Sequence, residues 1–424
     1  MAHTTAECVA TVVDPKAHAD PARLYDAFAW LRKNDPFALA ELPGFDPFHV
    51  VTRHADILEI SRDNILFPYG EFPSTLAPHE AVEAGRAARA QGRPLLYTLV
   101  QMDEPDHMKY RALTQAWFMP QNLRRLETRI REIARGVVAR MEALGGECDF
   151  VNEVALHYPL HVVMEILGVP TEDEPRMLQL TQELFGATDP DLRRKQEDES
   201  PEARAMAIQA VLADFFNYFN ALTEDRRANP REDVASVIAN AEIDGQRISA
   251  FDAVSYYVII ATAGHDTTSS STAGAMWALA ERPDELAKVR DDPALIPGLV
   301  DESIRWTTPV RHFMRSAARD VSVGGRDFKA GDWFMLCYPS GNRDETVFDD
   351  PMDFRVDRSP NRHLAFGYGA HVCLGQHLAK LEMRILWEEL LPRLKSVELA
   401  GQAALSEANF VNGPKKLPIR YAFS

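Results

Sequence analysis

Cysteine is scarce in this chain: the only four are Cys8, Cys148, Cys337 and Cys373. They form no Cys-x-x-Cys pair, which excludes a metal site built on that spacing, and they favour a reducing, cytoplasmic compartment. The chain also lacks an apolar run approaching the ~18 residues of a membrane span, and its N-terminus has no basic segment followed by an apolar one. We therefore expect a protein that is not anchored in a membrane.

Basic residues are in the minority, with 46 Lys and Arg against 63 Asp and Glu and a net charge of −17. This balance argues against non-specific binding of nucleic acid, which needs a basic surface. No linker-like stretch interrupts the 424 residues, and 46% of them are hydrophobic, enough for a sizeable core. We expect one large domain over residues 1–424.

A glycine-rich segment near the C-terminus carries the clearest pattern, Phe-Gly-x-Gly-x-His-x-Cys-x-Gly, at Phe366, Gly367, Gly369, His371, Cys373 and Gly375. Glycines allow a loop to press against a flat, rigid group or to adopt positive φ. Cys373 stands just before a helix predicted over residues 374–391, whose dipole favours a thiolate. An isolated cysteine is more often a small buried hydrophobe, but six matched positions make that interpretation weak here.

This loop resembles the haem-binding loop of the cytochrome P-450 monooxygenases. The resemblance implies haem b as cofactor, with Cys373 as the axial thiolate ligand of the iron. It also implies the fold of that family, which is mainly α with a small β region, a triangular helical prism around a buried haem.

A second motif lies in the most apolar predicted helix, which starts at the capping pattern Ser249-x-x-Asp252 and ends near Glu281. Its residues 263–267, Ala-Gly-His-Asp-Thr, resemble the oxygen-activation motif of the same family. Gly264 is expected to open a groove for a diatomic ligand. Thr267 would hold dioxygen by a hydrogen bond, and Asp266 would relay protons from water. The alternative is that the hydroxyls only bond to carbonyls one turn back and bend the helix.

Haem has two propionates that need hydrogen-bond donors. His107 and Arg111 lie on one face of a helix predicted from Pro105, and the family resemblance adds Arg315 and His371. The alternative for His107 and Arg111 is a solvated cationic stripe.

A third signature is Glu302-x-x-Arg305, an i,i+3 pair that alone would contribute only about 0.2–0.5 kcal/mol. It resembles the Glu-x-x-Arg motif of the family, in which Arg358 would be the third member and the role is structural.

Helical periodicity also predicts helices over residues 22–33, 122–144, 152–167, 172–185, 201–227 and 296–306. Strands are expected at about 45–55, 310–336 and 395–421, with turns at Gly324-Gly325 and Asn412-Gly413. Residues 64–102 show weak periodicity, and by resemblance they form a substrate-facing loop. The expected substrate pocket is lined by residues that could equally be ordinary core, namely Val310, Phe313, Phe410, Ala263 and Ile260.

The resemblance implies a monooxygenase that inserts one atom of O2 into a C–H bond of a small hydrophobic substrate. Residues 157–164, 261–270 and 374–383 are most similar to the bacterial terpene-hydroxylating group, which favours a monoterpenoid or an alkyl-aromatic hydrocarbon. Because the chain has no flavin or iron–sulfur motif, electrons would come from NAD(P)H through a reductase and a separate ferredoxin. Its docking site would use Arg124, Arg125, Arg362 and Lys380, unless these form only a solvated face. The alternatives are a peroxide-driven peroxygenase and a haem-thiolate sensor.

Overall fold

Helices dominate the structure. The computed structural model describes residues 3–70, 72–92, 94–195 and 200–423. Within these ranges the helices are α1 (Thr5–Val13), α2 (Pro21–Asn34), α3 (His54–Arg62), α4 (His79–Ala90), α5 (Asp106–Gln115), α6 (Pro120–Leu123), α7 (Glu127–Ala143), α8 (His157–Leu167), α9 (Glu174–Phe185), α10 (Pro201–Ala228), α11 (Val234–Ala239), α12 (Ala250–Glu281), α13 (Pro283–Asp291), α14 (Ile296–Thr307), α15 (Tyr338–Gly341) and α16 (Gln376–Leu390).

The strands of the described residues are short: β1 (Phe37–Ala40), β2 (Phe48–Val51), β3 (Glu147–Asp149), β4 (Glu242–Ile243), β5 (Gln246–Arg247), β6 (His312–Ser316), β7 (Val321–Val323), β8 (Arg326–Phe328), β9 (Trp333–Cys337), β10 (Leu394–Leu399), β11 (Ala404–Leu405), β12 (Pro414–Lys416) and β13 (Pro418–Phe423). The largest sheet has the order β1-β2-β9-β6, and a second sheet has the order β10-β13-β3. The remaining strands form the hairpins β4-β5, β7-β8 and β11-β12. The predicted fold class, mainly α with a small β region, is confirmed.

Helix α12 runs through the interior. It begins at Ser249, whose hydroxyl accepts the backbone N–H of Asp252 at 3.0 Å, as the capping pattern predicts. Its N-terminal half belongs to one hydrophobic cluster, with α8 and α10, and its C-terminal half belongs to another, with α14 and α16. A helix that packs on nearly every side needs an apolar surface all round, and this explains its weak amphipathicity.

Several predicted elements have different boundaries. The helix predicted over residues 122–144 is divided into α6, a 3-10 turn at Arg124–Leu126 and α7. The one predicted over 152–167 starts as a π-helical turn, Val151–Ala155, and continues as α8. Residues 64–102, predicted as a loop, contain helix α4. Weak periodicity is consistent with this helix, because only Val82 of its side chains is buried.

The glycine turn at Gly324-Gly325 is confirmed as a two-residue connection between β7 and β8, with φ of +56° and +79°. The prediction that Asn412-Gly413 is the turn between two paired strands in residues 409–421 is wrong. Strand β13 pairs with β10 and β3 instead, and β12 pairs with β11. Pairing partners that are distant in sequence cannot be read from local turn residues.

Membrane insertion has no candidate segment in the part of the chain that the structure describes, because no helix there combines the length and the apolar character that crossing a bilayer requires.

A buried ion network connects α14 to the segment that leads to Cys373. Arg305 donates two hydrogen bonds of 2.7 Å to the Glu302 carboxylate, and Arg358 Nε lies 3.1 Å from both of its oxygens. The backbone N–H of Arg355 and the amide of Asn361 donate to the same carboxylate, at 2.9 and 3.1 Å. Burial alone raises the pKa of Glu302, but the hydrogen bonds and charge of Arg305 and Arg358 outweigh it and lower the pKa.

We predict that Glu302→Gln destabilises the fold by about 3–5 kcal/mol, because it leaves the buried Arg305 and Arg358 without a counter-charge. Glu83→Gln is the matched control, since Glu83 forms the same i,i+3 pair with Arg86 at the surface, where such a pair contributes roughly 0.2–1 kcal/mol. Denaturant unfolding at neutral pH measures both free energies. Equal costs would contradict the prediction.

The same network has a pH dependence. Because the folded-state pKa of Glu302 lies below the ordinary value of 4.5, its contribution is present above that pH and is lost as the pH falls through the lowered pKa. In Glu302→Gln this part of the acid sensitivity is expected to disappear.

Candidate active site

The loop before Cys373 depends on glycine at two positions. Gly367 and Gly369 have φ of +68° and +73°, a region that other residues rarely adopt. A Cβ on Gly369 would lie 2.2 Å from the backbone oxygen of Ser61 in α3, so this glycine also allows two backbones to meet. By contrast, a Cβ on Gly375 would meet nothing within 4 Å. The loop closes with a hydrogen bond of 2.8 Å from the Cys373 N–H to the Phe366 carbonyl.

The Cys373 thiol is partly accessible although it belongs to the interior of the fold. Burial raises its pKa above the ordinary value, while the N–H groups of Gly375 and Gln376 and the charge of Arg111 act in the opposite direction. The sequence-based expectation that the helix start favours a thiolate is therefore wrong for the protein alone. Helix α16 begins at Gln376, three residues later than Cys373, so its dipole is too distant to prevail over desolvation.

Cationic and imidazole side chains converge beside this loop. The rings of His107 and His371 are tilted by 36° with centroids 4.0 Å apart, and Arg111 donates a 2.8 Å hydrogen bond to the Val372 carbonyl. Burial, followed by the charges of Arg315, His107 and Arg111, lowers the pKa of His371 to about 2. The pKa of His107 is also lowered, chiefly by burial.

This cluster combines two arginines with two neutral histidines, not the four cations that the sequence suggested. The Arg315 guanidinium lies 3.9 Å over the ring of Tyr69, whose edge meets His371 at 5.1 Å. Neither Arg111 nor Arg315 forms an ion pair with a carboxylate among the residues that the structure describes. The buried Arg315 and the partly buried Arg111 therefore form a site for anionic groups.

One face of α12 is open in an otherwise buried helix. Ala261, Thr262, His265 and Thr268 are buried, whereas Ala263 is exposed and Ile260 and Thr267 are partly exposed. These positions recur at i, i+3 and i+7, so they share a face. An exposed alanine in the centre of a buried helix indicates an internal space beside it.

The sequence suggested that Gly264 opens a groove for a diatomic ligand, but the structure gives this glycine a different role. A Cβ at this position would lie 2.8 Å from Cγ2 of Val163 in α8. The glycine therefore allows α12 and α8 to approach closely, and it is Ala263 that borders the open space.

The two residues of the predicted relay point in different directions. The Thr267 hydroxyl donates to the Ala263 carbonyl at 2.8 Å, so the back-bonding alternative is real, and Thr262, Thr268 and Ser271 make the same kind of bond. This bond uses the hydroxyl proton and leaves the oxygen free to accept. Asp266 has a buried carboxylate oxygen, Oδ2, without a hydrogen-bond partner.

Asp266 borders a cavity of about 80 Å³ that lies between α12, α9 and the C-terminal segment. Its lining is mixed, with apolar residues such as Leu156, Phe185 and Val411, and with polar residues that include Gln182, Ser269, Ser406 and Lys415. The orphaned Oδ2 and these polar groups make this polar cavity a suitable place for water.

The predicted pocket residues lie on three elements. The Phe313 and Phe410 rings are 5.6 Å apart, and Phe410 also meets Phe185 at the end of α9 at 6.1 Å. Val310 forms an isolated bridge with Val411, next to Phe410. Phe313 is the one partly accessible residue of β6, whose other residues are buried. Together with Ile260 and Ala263 they supply apolar, partly accessible surface.

Comparison with known proteins decides the family. The profile described as Cytochrome P450 matches residues 79–294 and 294–418. The chain belongs to the cytochrome P450 family. It is 50% identical over 413 residues to cytochrome P450-terp of a Pseudomonas species, covering 97% of this chain and 96% of that one. It is 33% identical to linalool 8-monooxygenase of Pseudomonas putida, covering 93% and 95%.

Solved structures agree. The crystal structure of a cytochrome P450 from Novosphingobium aromaticivorans superposes with a TM-score of 0.89 at 45% identity, covering 99% of both chains. A cytochrome P450 of Mycobacterium marinum in complex with pseudoionone superposes with a TM-score of 0.85 at 31% identity, covering 94% of this chain and 95% of that one. This cytochrome P450 is therefore an oxidoreductase of the monooxygenase type, and its cofactor is haem b.

The residues of this P450 fit haem on three counts. Arg111 and Arg315 lack carboxylate partners among the described residues and match two propionates, with His107 and His371 as additional N–H donors. Cys373 presents a partly accessible sulfur. Gly375 has no neighbours where a Cβ would stand, which leaves room for a flat group.

Sequence reasoning missed Tyr69, which contacts both His371 and Arg315. It lies in the weakly periodic segment 64–102, and its N–H donates to the Asp103 carboxylate at 2.9 Å. An aromatic residue within an irregular segment carries no pattern, so no signal in the sequence could have identified it.

We predict that Gly369→Ala destabilises the P450 more than Gly367→Ala. Both substitutions add the strain of positive φ, which costs about 1–2 kcal/mol. Only Gly369→Ala also places a Cβ against the Ser61 backbone, and this contact costs about 1–3 kcal/mol more. At Gly367 the nearest atom is 3.7 Å away. Unfolding free energies and haem content measure the difference, and equal losses would show that the contact with Ser61 is unimportant.

Proposed function

We propose that this cytochrome P450 hydroxylates a small apolar substrate, a monoterpenoid or an alkyl-aromatic hydrocarbon, with O2 and two electrons from a ferredoxin fed by an NAD(P)H-dependent reductase. The partly accessible apolar surface of Ala263, Ile260, Phe313 and Phe410 is the observation that carries this proposal, since it is suited to a compact hydrocarbon and offers few polar partners. The names of P450-terp and linalool 8-monooxygenase support a terpene.

Haem, when bound, supplies the iron chemistry that cleaves dioxygen and inserts one oxygen atom into a C–H bond, with Cys373 as its thiolate ligand. Arg111, Arg315, His107 and His371 hold its propionates. The glycines of the loop, together with Phe366, shape the surface that it contacts. The chain's own part is to bind, to orient and to move protons.

The proton relay uses two neighbouring residues of α12. Adjacent helical residues point about 100° apart, so Thr267 can face the open side while Asp266 faces the polar cavity. Asp266 Oδ2 takes a proton from water there. The carboxyl then releases this proton towards the open side, which regenerates the carboxylate, and Thr267 Oγ1 positions the group that carries it by accepting a hydrogen bond, because its own proton is donated to Ala263.

The ferredoxin is proposed to dock where α6, α14 and α16 border a groove of about 360 Å³. Arg124, His377 and Lys380 line this groove, and Lys380 pairs with Asp301 at 2.7 Å. Arg125, by contrast, stacks on Trp117 at 4.1 Å. Arg124, Arg125 and Arg362 are exposed, so they can offer charge to an acidic carrier, although Arg125 also stacks on Trp117. Lys380 is partly buried and paired with Asp301.

Product assays test the proposed function. Small terpenes and alkyl-aromatics are screened for the ferric spin-state change that a bound apolar substrate produces, and hits are assayed with ferredoxin, its reductase and NADH, or with peroxide alone. Product only with the electron carrier is expected. Product with peroxide alone would favour a peroxygenase, and a spin-state change without product would favour a sensor.

In the same assay Arg124→Glu should raise the KM for ferredoxin, and Lys329→Glu, outside the groove, should not.

We predict that Thr267→Ala still accepts electrons and consumes O2 but releases mostly peroxide, with product per NADH falling about ten-fold or more. Ser271→Ala is the control, because its hydroxyl makes the same kind of back-bond but is buried. Coupled product formation in Thr267→Ala, equal to that of the control, would contradict the role of Thr267.

A further inference from the structure

His265, between Gly264 and Asp266, has no part in the relay described so far. Its side chain is fully buried on the closed side of α12, two residues and about 200° away from the exposed Ala263. A histidine buried at the centre of a helix must satisfy both ring nitrogens, and the partners of these nitrogens define which of them carry protons.

Each ring nitrogen of His265 faces one identifiable hydrogen-bond partner. Nε2 lies 2.8 Å from the carbonyl oxygen of Leu156, which can only accept, so Nε2 carries a proton. Nδ1 lies 3.4 Å from the hydroxyl oxygen of Thr181 in α9. That hydroxyl has a single proton, and it is directed to the Leu178 carbonyl at 3.0 Å.

With its proton so directed, the Thr181 oxygen can accept from a protonated Nδ1, but the hydroxyl can also turn and donate to a bare Nδ1, so this contact fits either form of the ring. A second contact of Nδ1 distinguishes the two forms. Nδ1 also lies 3.4 Å from Oδ1 of Asp266, a carboxylate oxygen that would repel a bare nitrogen lone pair but attracts a protonated nitrogen. The carboxylate therefore favours a ring that carries a proton on both nitrogens.

We propose that His265 is a positioning residue for the relay, a buried imidazolium that pairs with the Asp266 carboxylate and sets the pH range over which Asp266 takes up and releases protons. The inference rests on the proposed function only for its consequence in turnover. The proposed charge is argued from the contacts of the ring with Leu156 and with the Asp266 carboxylate.

The pair is oriented by its surroundings. Oδ1 of Asp266 faces the imidazolium, and its orphaned Oδ2 faces the polar cavity. The ion pair thus holds one carboxylate oxygen in place and leaves the other to exchange protons with water.

Other titratable groups face this pair from the neighbouring elements. His157, at the start of α8, has a pKa lowered by burial, then by Arg140, with His265 among the further causes. Glu153 lies in the π-helical turn before α8, and it acts on His157 in the opposite direction. Lys415 lines the cavity of Asp266 and is itself paired with Asp189 at 2.9 Å.

Nitrogen NMR tests the charge directly. The haem-loaded protein is labelled with 15N-histidine and studied in the ferrous carbon monoxide state, which is diamagnetic, at about pH 7.5, one unit above the ordinary histidine pKa of about 6.5. The His265 signals, among those of 13 histidines, are assigned by their loss in His265→Gln. Two protonated ring nitrogens are expected. One protonated and one bare nitrogen would overturn the proposal.

Asp266→Asn provides the second measurement. Without the carboxylate, His265 should lose its Nδ1 proton about 1–3 pH units lower than in the unmodified protein. An unchanged midpoint would overturn the pairing. If His265→Gln does not fold, this shift in Asp266→Asn assigns the resonance instead, so the test does not depend on that variant.

The effect on turnover has a defined direction. His265→Gln keeps a donor for the Leu156 carbonyl but removes the positive charge. The limb of the pH profile of coupled product formation that belongs to Asp266 is identified by its absence in Asp266→Asn. In His265→Gln this limb should move about 1–3 pH units higher. A lower rate with an unmoved limb would mean a purely structural role. A normal carbon monoxide spectrum with a neutral His265 would defeat this inference alone, whereas a protein without the thiolate-type spectrum would defeat the proposed function.

Discussion

The position of Cys373 depends on a carboxylate far from it in sequence. Glu302 binds Arg305 and Arg358 in a region without solvent, and Arg305 also donates to the carbonyl of Asn342 at 2.9 Å. The side chain of Asn342 in turn accepts the backbone N–H of Leu364 at 2.6 Å, two residues before Phe366. Each of these bonds is buried, so each is strong only while its neighbours remain in place. The loop that presents the Cys373 sulfur is therefore held in place by buried hydrogen bonds that connect it to α14.

Helix α12 separates an apolar space from a polar one. Ala263, Ile260 and Thr267 border the first, whereas Asp266 borders the second, and the buried His265 stands beside it. Close packing of Gly264 on Val163 keeps the helix against α8. This arrangement allows water and protons to be supplied to one side while an apolar substrate occupies the other.

Much of the fold and of the site follows from patterns within short segments. The helices α14 and α16 were predictable because their apolar periodicity is local, and α12 was predictable because its continuous apolar run and its Ser249 cap are local. The loop glycines Gly367 and Gly369 were predictable for the same reason, since a positive φ is a property of one residue. The role of Gly264 was not, because the side chain that approaches it belongs to α8 and lies about 100 residues away in the chain.

By itself the sequence determined the family, the cysteine that marks the haem loop and the residues that surround it, since a motif needs only residue types at fixed spacing. The tertiary structure alone decided which groups carry charge: that His107 and His371 are neutral beside Arg111 and Arg315, and that Glu302 is buried. Protonation depends on burial and on neighbours from distant segments, and neither of these is present until the chain has folded.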